Sequence, residues 1–107
     1  MGSSGRYEVD ILPKAEKDLR DLKQDAPQAI REILKLEDNP LLGHPLKGSL
    51  RQARALEFNL KGGGAYRAVY TIVDADRVCI VFLVGPHENI YKKAERRYAA
   101  VMRRIGR

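Results

Sequence analysis

The sequence predicts an α+β domain with a helical hairpin against a mostly antiparallel four-stranded sheet. Apolar residues alternate with polar ones near the N-terminus and again in the second half, which is typical of strands. Between these regions the apolar residues follow helical spacing. A chain of 107 residues can bury one core but not two. We therefore expect an N-terminal strand and two helices, then a three-stranded antiparallel meander that completes the sheet, and a C-terminal basic helix.

The first third of the chain is predicted to form a strand and two helices. Tyr7–Leu12 alternates apolar and acidic side chains, which indicates a half-buried strand. An amphipathic helix is expected from about Pro13 to Lys23, because proline suits the first turn of a helix. Asp25 is expected to cap a second helix that has Pro27 in its first turn. That helix should end at Asn39-Pro40.

A glycine-rich hairpin dominates the middle of the chain. The predicted loop Leu41–Arg51 is followed by two alternating strands, from about Ala53 to Val73, around Gly62–Gly64. We expect this hairpin to hold Lys61 and Arg67 side by side on one exposed surface. The backbone N–H groups of these glycines could then bind an anion at close range. The alternative is a flexible turn flanked by ordinary surface cations.

The last strand and the last helix are predicted from an apolar run followed by a cationic one. After a turn at Asp74–Asp76, Arg77–Val84 is apolar on both faces, which places it in the sheet interior. Even-numbered residues from Val78 should share one face and odd-numbered ones the other. Gly85-Pro86 should end the strand, and a helix should run from about Ile90 to Arg104. The cations of this region are Lys92, Lys93, Arg96, Arg97, Arg103, Arg104 and, past the helix, Arg107. They favour binding, although a solvated face that complements the helix dipole is the alternative.

Composition narrows the classes of partner and compartment. The net charge of +6 and the sequence pI of about 9.7 favour an acidic partner, either nucleic acid or an acidic protein. The longest apolar run is too short for a membrane span, so we expect no membrane contact. The single cysteine, Cys79, sits in that run, which predicts a buried thiol in a reducing compartment, the cytoplasm. His44, His87 and Cys79 show no metal-ligand spacing, so no metal and no cofactor are predicted.

Two features are left outside the predicted site. Met1–Gly5, MGSSG, resembles an expression leader, so the predicted domain is residues 6–107. His44 stands beside a proline in the predicted loop. A histidine in that setting is more often a surface or packing residue than a catalyst, and we do not include it.

Three sequence blocks carry a family resemblance. They are YEVDILPKAEKDLRDL, LKGGGAYRAVY and VCIVFLVGPHENIYKKAERR. With the order β–α–α–β–β–β–α they resemble the RelE/ParE superfamily of bacterial and archaeal type II toxins, most closely the RelE branch. The most specific part is a Tyr-Arg-x-x-Tyr strand, an apolar strand, and Gly-x-His-x-x-x-Tyr before a basic helix. The resemblance implies a RelE-like fold and a ribosome-dependent messenger RNA endoribonuclease that cleaves through the 2′-hydroxyl without a metal.

The resemblance also assigns site residues and partners. The arginine of the Tyr-Arg strand falls on Arg67, the basic position after the last strand on His87, and the terminal tyrosine on Tyr91. The basic positions before the turn fall on Glu57, Asn59 and Lys61, of which only Lys61 is a cation. We predict that the catalytic residues are Arg67, His87, Tyr91 and Lys61, and that the RNA-binding residues are Lys92, Arg96, Arg97 and Asn59. The implied partners are the ribosome with its message, and a cognate antitoxin, expected to be acidic and partly disordered.

Each predicted role has an alternative. His87 is either the general acid or base of the reaction, or an ordinary loop histidine without a catalytic role. Arg67 forms a phosphate clamp with Lys61, or an ion pair with Glu57. Tyr91 stacks on a base or assists proton transfer, or packs as surface. At the level of function, the alternatives are a ParE-like inhibitor of DNA gyrase without catalysis, and a basic nucleic-acid-binding domain without toxicity.

Overall fold

The computed structural model describes residues 6–88 and 90–105. The predictions for Met1–Gly5 and Arg107 lie outside those residues. The elements are β1 (Glu8–Ile11), α1 (Pro13–Arg20), α2 (Ala26–Leu34), β2 (His44–Pro45), β3 (Ala53–Leu60), β4 (Gly64–Val73), β5 (Val78–Pro86) and α3 (Ile90–Ile105).

The strands form one mixed sheet in the order β1-β5-β4-β3-β2. β1 runs parallel to β5, and the other neighbours are antiparallel. The α+β prediction is therefore confirmed, with the meander β3-β4-β5 at its centre. The structure adds a fifth strand, His44–Pro45, inside the segment predicted as a loop. It pairs with Ala55 and Arg54 at the edge of the sheet.

Helices cover both faces of the sheet, which explains why the central strands are apolar on both sides. On one face α1 and α2 bury Ala15, Leu19, Ala29 and Ile33 against the sheet. On the other face α3 buries Ile90, Ala94 and Val101. Within the described residues, no helix is both long and apolar enough to cross a membrane.

A β-bulge in β5 changes which of its residues share a face. Val69 of β4 pairs with Leu83, but the next residue, Tyr70, pairs with Val81. Phe82 is therefore the extra residue, and Phe82 and Leu83 both pack in the α3-side core. The predicted alternation of β5 is wrong beyond this point. The bulge turns Gly85 toward the α3 side, and the strand runs on to Pro86 instead of ending before it.

The helical hairpin is shorter than predicted. α1 ends at Arg20 instead of Lys23, because Lys23 adopts a left-handed φ of 54° that a helix cannot continue through. A short 3₁₀ turn, Lys23–Asp25, then leads directly into α2. Asp25 has helical backbone angles, and its carboxylate makes no capping hydrogen bond. The prediction that Asp25 caps the second helix is therefore wrong.

Candidate functional site

Arg67 lies at the centre of the α3-side face of the sheet. Its β4 position faces Glu57 on β3 and Gly85 on β5. The Nη2 atom pairs with Glu57 Oε2 at 2.7 Å. The residue is only 7% exposed, and its Nε and Nη1 atoms find no hydrogen-bond partner in the described part of the chain. The ion pair with Glu57, which the sequence offered as the alternative role of Arg67, is therefore present. It provides a hydrogen-bond partner for only one of the three guanidinium nitrogens.

Tyr91 covers this guanidinium from the first turn of α3. The Arg67 Cζ atom lies 5.3 Å from the centre of the Tyr91 ring, which is a cation–π contact. The tyrosine is itself 41% exposed. One part of the ring therefore shields Arg67, while the rest is free to contact a bound molecule.

His87 lies just past the end of β5, two residues beyond Gly85, which pairs with Arg67. Its backbone N–H donates to the Ala65 carbonyl at 3.2 Å, which extends the pairing of β4 and β5 beyond Pro86. With Glu57, Asn59 and neighbouring residues, His87 lines a cavity of about 250 Å³. Glu57 therefore pairs with the Arg67 guanidinium and also lines the cavity beside His87. The predicted residues Arg67, His87, Tyr91 and Asn59 lie together on one face.

Lys61 is not part of this group. The register places Arg67 opposite Glu57, so Lys61 lies four residues further along the hairpin, or about 13 Å at the rise of a strand. Its backbone N–H instead faces the Gln28 side chain of α2 at 3.4 Å. The prediction that Lys61 and Arg67 sit side by side on an exposed surface is wrong, because the turn begins at Lys61 and Arg67 is buried.

The predicted RNA-binding cations of α3 divide into two kinds. Lys92 and Arg96 are exposed. Arg97 is largely buried and pairs with Asp18 at 2.7 Å, while its Nη1 also donates to the Phe82 carbonyl at 3.0 Å. An arginine held in this way contributes to the fold, so we withdraw Arg97 from the RNA-binding set.

Sequence reasoning left His44 outside the site. The structure places it in β2, where it lines a cavity of about 360 Å³ with Lys47, Tyr91 and Glu95. A local signal was present in the preceding glycine. A Cβ at Gly43 would lie 2.7 Å from the Ala55 carbonyl oxygen, so the close approach of this segment to β3 requires glycine.

Comparison with known proteins identifies the family. Residues 9–95 match the family described as ParE-like toxins of type II bacterial toxin–antitoxin systems. The chain belongs to this toxin family. A search of curated proteins at the sequence level found no match. The superfamily resemblance predicted from the sequence is thereby confirmed.

Solved structures of RelE proteins share the fold. A chain of the toxin–antitoxin complex RelBE2 from Mycobacterium tuberculosis is 26% identical, with a TM-score of 0.65, over 77% of this chain and 99% of that one. The isolated E. coli RelE toxin is 25% identical, with a TM-score of 0.60, over 86% and 98%. An E. coli RelE mutant bound to a peptide of the antitoxin RelBc is 26% identical, with a TM-score of 0.61, over 83% and 94%.

Proposed function

We propose that this type II toxin is a ribosome-dependent messenger RNA endoribonuclease that cleaves through the 2′-hydroxyl without a metal. The observation that carries the proposal is the guanidinium of Arg67, which is buried with two nitrogens unpaired in the described part of the chain. Leaving a buried donor unpaired costs about 1–3 kcal/mol. A phosphate oxygen that displaced the covering Tyr91 ring would satisfy these donors with charge-assisted hydrogen bonds.

The reaction needs a base, an acid and a group that stabilises charge. As the 2′-oxygen forms its bond to phosphorus, the base takes the 2′-hydroxyl proton. The bond from phosphorus to the 5′-oxygen breaks, and the acid gives that oxygen a proton. The products are a 2′,3′-cyclic phosphate and a 5′-hydroxyl. Arg67 holds the negative charge on the phosphoryl oxygens, His87 transfers one of the two protons, and Tyr91 stacks on a base.

Purified toxin added to translating ribosomes tests this proposal. We expect cuts at codon-spaced positions in the message, resistance of the activity to metal chelators, and a loss of about 10²–10³-fold in Arg67→Ala. His87→Ala should lose about 10²–10⁴-fold. Arg31→Ala is the control, because Arg31 is exposed on α2, away from the site. Intact messages with wild-type toxin would contradict the proposal.

The second candidate function is inhibition of DNA gyrase without catalysis. It is favoured by Glu57, an acid at a position where the family resemblance places a cation, because this carboxylate neutralises part of Arg67. A supercoiling assay with purified gyrase separates the two functions. Inhibition of supercoiling that survives both Arg67→Ala and His87→Ala would support this candidate.

An acidic antitoxin is the proposed protein partner. A groove of about 650 Å³ runs between α1 and α3 along the edge of β5. Its floor is apolar, and none of the described residues that line it is acidic; the cations are Lys14, Lys17, Lys93, Arg96, Arg97 and Arg104. An amphipathic acidic segment matches both the floor and the rim. The similar structures that contain RelB peptides or chains support a partner of this class.

A further inference from the structure

Both histidines of the chain lie on the face that carries Arg67. The sequence contains two. His87 lines the cavity beside Glu57, and His44 lines the cavity on the far side of Tyr91. We propose that His44 is the second proton-transfer residue, so that the two imidazoles supply the base and the acid for one phosphate held by Arg67. This inference rests on the proposed ribonuclease function.

The register of the sheet carries the argument. His44 pairs with Ala55, which pairs with Val69. Arg67 is two residues from Val69 on β4, so its side chain leaves the sheet on the same side as that of His44. His44 is two strands from β4, which corresponds to about 10 Å across the sheet and about 7 Å along it. His87 lies two residues beyond Gly85, the β5 partner of Arg67, so Arg67 stands between the two histidines on this face of the sheet.

Tyr91 connects the two halves of this site. Its ring contacts Arg67 and also forms a wall of the His44 cavity. A base stacked on the exposed part of this ring would therefore lie next to the His44 cavity. The substrate is then a single strand of RNA that crosses Tyr91, because a paired base has no free face for stacking.

The two imidazoles lie among different polar side chains. His44 faces Lys47 from its own segment and Tyr91 and Glu95 from α3, with Arg54 of β3 holding the Gly43 carbonyl next to it. His87 faces Glu57 and Tyr66. Glu95 already accepts a hydrogen bond from the Ser49 hydroxyl at 2.6 Å, which fixes its carboxylate at the rim of the cavity.

The pH dependence of single-turnover cleavage tests the inference. We expect a bell-shaped profile for the wild type, and His44→Gln and His87→Gln should each remove one limb and lose about 10²–10⁴-fold. Arg31→Gln should leave the profile unchanged. Added imidazole should partly restore His44→Ala, which a purely structural role does not predict. If the wild type cleaves and His44→Gln keeps both limbs, the inference fails alone; if the wild type never cleaves, the proposed function fails with it.

A substrate with sulfur as the 5′-bridging atom identifies the acid. A thiolate leaves without protonation, so the variant that lacks the acid should regain most of its rate on this substrate. We expect this recovery in one of the two glutamine variants and not in the other. Recovery in both, or in neither, would contradict a division of the two proton transfers between His44 and His87. Thermal unfolding of both variants checks that the fold is retained.

Discussion

At the scale of single residues, Tyr70 determines where the segment before β2 lies. The residue is fully buried. Its hydroxyl donates to the Pro40 carbonyl at 2.6 Å and accepts from the Gly43 N–H at 3.0 Å. Arg54 Nε donates to the Gly43 carbonyl at 3.0 Å. His44 directly follows Gly43 in the chain. The Tyr70 phenol, on the face of β4 opposite to Arg67, therefore helps to position a residue of the proposed site.

Removing that hydroxyl should destabilise the fold. We expect Tyr70→Phe to lower the free energy of unfolding by about 1–3 kcal/mol, because Gly43 and Pro40 lose their buried partner. Tyr98→Phe is the matched control, since the Tyr98 hydroxyl makes no hydrogen bond within the described residues, and it should change stability by less than about 0.5 kcal/mol. Urea unfolding measures both. Equal effects of the two substitutions would contradict this role of Tyr70.

Because Cys79 is buried, we expect the fold to lose stability at alkaline pH. Burial raises the pKa of its thiol from 9.0 to about 11, because a thiolate is poorly solvated in the core. Below pH 9.0 both states keep the proton; between pH 9.0 and about 11 the unfolded chain loses it first, so rising pH favours unfolding. We expect the free energy of unfolding to fall across this window, and to fall less steeply in Cys79→Ala. Parallel slopes in urea titrations at stepped pH would rule this out.

At the scale of elements, an ion pair takes the place of a missing strand. β1 ends at Ile11, opposite Val81, so β5 has no strand neighbour on that side further on. There Asp18 of α1 accepts the Val84 N–H at 3.0 Å, and Arg97 of α3 donates to the Phe82 carbonyl. The pair thus satisfies the backbone of the bulge and joins the two helical layers across the edge of the sheet.

Breaking this pair should cost far more than breaking an exposed one. We expect Asp18→Asn to lower the free energy of unfolding by about 3 kcal/mol, because it leaves the Arg97 charge uncompensated in a largely buried position. Asp21→Asn is the matched control, since its pair with Lys17 is exposed at 3.7 Å and should be worth less than about 1 kcal/mol. Calorimetry on both variants measures the difference, and similar costs would contradict the role given to Asp18.

At the scale of the whole molecule, α3 separates two surfaces. Tyr91 and Glu95 line the cavity of His44 on one flank. Lys93, Arg96 and Arg104 line the basic groove on the other flank. The proposed chemistry and the proposed antitoxin contact therefore use different sides of one helix.

This separation predicts that the two activities can be removed independently. We expect Lys14→Glu with Lys93→Glu to weaken binding of the cognate antitoxin by roughly tenfold at low salt, because both charges lie on the groove, while cleavage is retained. Arg67→Ala should lose about 10²–10³-fold in cleavage and bind the antitoxin normally. Titration calorimetry with Arg31→Glu as the charge control measures the affinities. Equal loss of both activities in either variant would refute the separation.

The sequence predicted the elements well because their apolar periods are long and regular. In β3 and β4 the predicted alternation is correct: Leu56, Phe58 and Leu60 pack with Ala68 and Tyr70 in one core. Register was not predictable, since three successive glycines allow more than one turn. Gly64 belongs to β4 and takes a φ of 83°, and this sets Arg67 opposite Glu57.

The parts of the site that escaped prediction left no periodic signal. The bulge at Phe82 is silent in the sequence because its neighbours are apolar on both faces, so a change of face alters no pattern. β2 has two residues, which is too short for alternation to appear. His44 was excluded because a histidine beside a proline in a loop is more often a surface or packing residue, and the long-range pairing that positions it depends on Gly43 and Tyr70.

The parallel pairing of β1 with β5 has a consequence during synthesis. Glu8 pairs with Val78 and Ile11 with Val81, so the first strand cannot pair with its neighbour until the last strand has been synthesised. His87 and Tyr91 emerge later still. We expect a nascent chain halted before Val78 to remain unfolded and harmless, and the translating machinery to have released nearly the whole polypeptide before an active toxin exists.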